Sequence, residues 1–112
     1  MNDISSTDRA LAESAYQATE DDLLIALGAL LAGGQARDAE PQDLRARAEA
    51  WLRRNHERLR SAVCGHPALA ELTDSFVDVA TLADILTAQL SKPTAFTVAA
   101  ILLKRGLHAW CV

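Results

Sequence analysis

Aromatic side chains are scarce in this chain. Two Trp, one Tyr and two Phe are all that 112 residues carry. Glycine (5), proline (3) and cysteine (2) are also few. So few strand-favouring and turn-forming residues exclude an all-β sandwich or barrel, and the glycine and proline counts exclude a collagen-like chain. Two cysteines make no disulfide-dense scaffold. The longest apolar runs, Leu23–Ala32 and Val98–Leu103, fall well short of the ~20 residues a membrane-spanning helix needs, so no membrane role is expected. A phosphate-binding glycine loop, a dinucleotide fingerprint and a nucleophile elbow are all missing.

Alanine and leucine are what the chain has instead, 22 and 17 residues respectively. Both favour helices, and the length suits one domain with one core. The expected fold is all-α: a compact bundle of five to six helices forming a single domain over residues 1–112, with a loose start at 1–6. Ser6 or Thr7 caps a first helix over 8–17. Thr19 caps a second, with Glu20, Asp21 and Asp22 filling its first turn, and Gly33-Gly34 stops it. Gln35–Glu40 reads as a polar loop. Pro41 opens a third helix expected to run unbroken to Cys64, roughly 35 Å at 1.5 Å per residue. Gly65 and Pro67 end it, and a short helical segment follows over Pro67–Leu72. Thr73-Asp74-Ser75 caps a fourth main helix over 75–90, with Asp74, Asp78 and Asp84 expected outside the core. Ser91-Lys92-Pro93 breaks the chain before a last helix over 94–105, and Leu107–Val112 is an apolar, packed tail.

The second helix is apolar nearly all round. Leu23, Leu24, Ile25, Leu27, Leu30 and Leu31 point in most directions, so it is either central to the core or covered by another chain. Leu24, Leu27 and Leu31 are therefore candidate partner-binding residues. Gly28 lets a neighbouring helix approach closely.

The net charge is −4, unevenly spread. Residues 1–40 carry −6, residues 41–63 carry +3, and residues 64–112 carry −1. Such blocks dock against each other or against a partner. Arg45, Arg53, Arg54, Arg58 and Arg60 of the third helix are candidates for an acidic partner. Glu49 and Glu57 are interleaved to pair along the same helix. A nucleic acid on Arg45–Arg60 is the alternative, weakened by the absence of interleaved aromatics for base stacking. Trp51 falls on the apolar stripe.

Cys64, His66, His108 and Cys111 match a zinc set in composition but not in the usual spacing. An intramolecular disulfide is a second reading. The favoured one keeps both cysteines reduced and buried in a cytoplasmic protein, with His66 and His108 capping helices. Catalysis gains no support, since no group orients a Cys64–His66 pair. No cofactor is expected. The reading is thus a non-catalytic protein-interaction module that binds a protein partner or itself.

The segment Ser91-Lys-Pro-Thr-Ala-Phe-Thr-Val-Ala-Ala-Ile-Leu-Leu-Lys-Arg-Gly-Leu-His-Ala-Trp-Cys111 resembles the C-terminal portion of small helical effector-associated modules in bacterial conflict and signalling operons. The resemblance implies an adaptor role beside proteases, nucleotide-dependent ATPases or other effectors. It covers 21 of the 112 residues and transfers no functional residue.

Overall fold

The computed structural model describes residues 5–111. Among them lie seven α-helices: α1 (Ser6–Gln17), α2 (Glu20–Ala32), α3 (Pro41–Arg54), α4 (His56–Val63), α5 (Phe76–Leu86), α6 (Lys92–Arg105) and α7 (Leu107–Cys111). Two 3₁₀ segments, Gly33–Asp38 and Pro67–Glu71, complete the chain, and no strand occurs among the described residues. The all-α reading holds, with one or two more helices than expected. The loose start expected at 1–6 lies outside the described residues for positions 1–4, while Ser5 is the cap that opens α1.

Caps set most of the boundaries. The Thr19 side chain accepts a hydrogen bond from the Asp22 amide, satisfying one of the first-turn N–H groups that have no helical partner. Gly33, with φ of 59°, ends α2 one residue after Ala32. Those are the bounds read from sequence. In α6 the helix starts at Lys92 rather than 94. Pro93 fits its first turn, where a missing N–H costs nothing, so the proline sits inside the helix instead of breaking the chain before it.

The expected long third helix is broken. Asn55 (φ −103°, ψ 9°) separates α3 from α4. Its Nδ2 donates to the Trp51 carbonyl at 2.9 Å, the same oxygen that accepts the Asn55 backbone amide at 3.0 Å. The amide side chain thus shares the helical carbonyl at the break, an arrangement that accommodates a bend. The fourth main helix stops at Leu86 rather than 90, where the Thr87 hydroxyl donates to the Asp84 carbonyl at 2.7 Å. The loop expected at 35–40 winds into the first 3₁₀ segment, and the apolar tail winds into α7.

The centre is α6. Ala95, Phe96, Val98, Ala99, Ala100, Ile101 and Leu102 are all buried there. α2 and α5 pack against it, α1 lies over α5 and α6, and α3 covers α2. The alanines let these axes come close. The tightest approach is at Gly28, where an added Cβ would fall 2.7 Å from Leu44 Cα and nearer still to the Leu44 carbonyl. That is the close approach the glycine permits. One apolar cluster runs from Ala12 to Leu107 through every main helix. No helix among the described residues is long and apolar enough to cross a membrane.

Candidate functional site

The functional candidates lie at the surface of α3 and α4. Their buried stripe is Leu44, Ala48, Leu52, Leu59 and Val63. The arginines project away from it, and their fates differ. Arg45 donates through Nη1 to Asp21 in the first turn of α2. Arg60 donates through Nε to the Cys111 carbonyl at 3.2 Å. Arg47, Arg53, Arg54 and Arg58 are exposed and form no ion pair among the described residues. Glu49, expected to pair with Arg53, turns instead to Arg105 of α6 at 2.8 Å.

Arg105 is the hub of the internal charge network. Its guanidinium spans Glu20 of α2 at 2.9 Å and Glu49 of α3, tying three helices together. Burial alone would lower its pKa. The hydrogen bonds to Glu49 and Glu20, and their charges, outweigh that and hold it above the ordinary arginine value. The basic block therefore docks on the acidic one at Arg45, while Arg105 and Lys92, from the third stretch, tie Glu20, Glu49 and Asp8, the last at 2.9 Å. What remains is a cationic face spanning both sides of the Asn55 bend. Trp51 is turned into the core and the face carries no stacking platform.

The leucines of α2 follow the core alternative rather than the partner-covered one. Leu24 and Leu27 are 5% and 0% exposed, so they belong to the core and are corrected as partner-binding candidates. Leu31 is half-buried against the same core. Leu30 is the exposed one, at 42%, and stands without an exposed leucine neighbour on α2. A lone apolar side chain is ordinary surface and makes no docking strip.

Cys64 and Cys111 form a disulfide, with Cα atoms 5.7 Å apart and a sequence separation of 47. The favoured reading of reduced thiols is thereby corrected. Zinc binds thiolates, and a disulfide offers none, so Cys64 and Cys111 are not zinc ligands in this state. Of the two histidines in that set, His66 accepts the Ala68 amide on Nδ1 at 3.1 Å and caps the second 3₁₀ segment, as expected. His108 is exposed on α7. The remaining histidine, His56, meets the Trp110 ring edge-on at 5.0 Å. By the chain-entropy argument a loop of this length makes the bond worth about 4 kcal/mol.

A cleft of about 220 Å³ is lined by Tyr16, Asp74, Asp78 and Lys104 among others. Asp78 was expected outside and is 5% exposed. Its carboxylate accepts the Thr73 amide at 2.7 Å, the Asp74 amide at 2.6 Å and the Thr73 hydroxyl at 3.2 Å. It closes the turn that leads into α5, in which Asp74 sits at φ 58°. A carboxylate with both oxygens engaged in this way serves as a structural cap. Ser75 caps the same helix by accepting the Val77 amide. The sequence shows the Ser75-x-x-Asp78 spacing of a capping box, which was the available sign that Asp78 turns inward.

Comparison with protein-family models, with curated proteins and with solved structures finds no match to this chain.

Proposed function

We propose that this chain is a non-catalytic interaction module that receives an acidic protein surface on the arginine face of α3 and α4. One observation carries the reading: Arg47, Arg53, Arg54 and Arg58 stay exposed outside the ion pairs in which Arg45 and Arg105 are held. Arginine presents a rigid fork that matches a carboxylate with two parallel hydrogen bonds, and a cluster of such forks steers an anionic surface into register. The overall charge of −4 and the lack of exposed aromatics on this face favour protein carboxylates over a nucleic-acid backbone. The resemblance of the 91–111 segment extends the proposal to an adaptor in a bacterial conflict or signalling system.

The test is cross-linking capture from a bacterial lysate with the wild-type chain and with an Arg53→Glu, Arg54→Glu, Arg58→Glu variant. The expected result is a protein cross-linked through an acidic segment to residues 47–60 and lost at least tenfold in the variant, about 1.4 kcal/mol or more. Capture that ignores the three charge reversals overturns the reading. So does recovery of a nuclease-sensitive polymer in place of protein.

A further inference from the structure

We infer that the Cys64–Cys111 disulfide is a reversible latch that holds α7 against α4 and thereby limits the arginine face. The inference rests, for its binding consequence only, on the reading of that face given above.

α7 is weakly anchored without the bond. A five-residue helix has no independent stability in water, because one turn cannot repay its own nucleation. Leu107 is buried beside α6, Trp110 and Cys111 rest half-buried at the edge of the core, and the residues beyond Leu107 are joined to α4 by the disulfide, the edge-on Trp110–His56 contact and the Arg60–Cys111 hydrogen bond. Two of these are single exposed or half-exposed interactions of the kind worth little alone. Gly106, with φ of 86°, joins α6 to α7 and provides the pivot. Both cysteines are partly exposed, so a reductant has access to the bond.

A dithiol opens the latch in two balanced steps. Its thiolate attacks one cysteine sulfur and forms a mixed disulfide, while the other cysteine leaves as a thiolate and takes a proton. The second thiol of the reagent then closes on the first, releasing the remaining cysteine and leaving the reagent as a cyclic disulfide. Two electrons pass from the reagent to the protein. With the bond open, 108–111 leave α4. Arg60 loses its carbonyl partner and His56 is uncovered. Both stand on the helix that carries Arg58. The reduced form then offers a larger cationic face and binds the acidic partner about fivefold more tightly, the size of one added charge-assisted contact at a rim.

The two indole N–H resonances in a ¹H–¹⁵N spectrum give the first readout, Trp110 on α7 and Trp51 on α3 as the internal control. A Trp110→Phe variant assigns them. On full reduction by dithiothreitol, checked by counting two thiols, the Trp110 signal moves to an exposed position and becomes accessible to acrylamide, while Trp51 keeps its position and the α6 amides exchange only through global unfolding, staying better protected than those of α7. A Cys111→Ser variant shows the same open signature without reductant. The latch is overturned if Trp110 stays in place after two thiols have formed, if the bond resists dithiol under native conditions, or if Trp51 and the α6 amides open together with α7 in a single transition. These outcomes need no partner. If Trp110 is released and charge reversal at Arg53, Arg54 and Arg58 leaves capture intact, the latch stands and the proposed function fails.

Discussion

The α2–α3–α6 region and the α4–α7 edge hold their helices by opposite means. In the first, small residues bring the backbones together. Gly28 lies against Leu44, and Ala95, Ala99 and Ala100 are buried along α6. Every contact is supported by several others, and one polar hub, Arg105, closes the surface. At the α4–α7 edge Leu59, Val63 and Leu107 are buried, Ala62, Trp110 and Cys111 are only half-buried, and a covalent bond supplements the packing. Packing can hold a helix only where enough apolar area is shared. Five residues do not share enough, and a cross-link acts regardless of area. That bond persists or opens according to the redox chemistry of the surroundings.

The strongest way to break this contrast is to remove packing from the centre. Ile101 is fully buried in α6. Ile101→Ala leaves a cavity in a region with no slack, at about 4 kcal/mol. At ~4 °C per kcal/mol for a chain of this size, the melting temperature falls by ~16 °C. The loss should be cooperative, with near-UV and far-UV signals melting together. Separate transitions would mean that the centre is not one packed unit.

A smaller effect tests the close approach itself. Gly28→Ala gains helix propensity, about 1 kcal/mol, yet drives a methyl into the Leu44 backbone. The clash costs about 3 kcal/mol, leaving a net loss of about 2 kcal/mol. Thermal or urea denaturation measures it. A neutral or stabilised variant would show that α3 shifts freely on α2 and that the contact is not tight.

How far the sequence spoke for itself follows the same division. Thr19, the acidic turn and Gly33 named the bounds of α2, and Gly28 named the close approach, because caps and glycines act locally. The arginines read correctly as off the core stripe. Which of them stay unpaired did not, since Glu49 chose Arg105, 56 residues away, over the nearer Arg53. Leu24, Leu27 and Leu30 are chemically alike, and only the packing of α3 and α6 on α2 separates the buried pair from the exposed one. The disulfide depends on the ends of α4 and α7 meeting across 47 residues, which spacing alone leaves open against a free thiol pair.

Asn55 gives the finest test, because it sits where the two regions join. Asn55→Ala removes the Nδ2 bond to the Trp51 carbonyl and supplies a better helix former. If the side chain alone made the bend, α3 and α4 would merge into one straight helix. Straightening would lift Leu59 and Val63 off α5, and both are fully buried now. The two side chains are worth several kcal/mol, against roughly 0.5 kcal/mol gained in propensity. The core therefore keeps the bend, and the variant is expected within about 0.5 kcal/mol of the parent, with unchanged far-UV ellipticity. A marked gain in ellipticity with a drop in stability would show instead that the asparagine, and not the packing of α4 on α5, fixes where the arginine face turns.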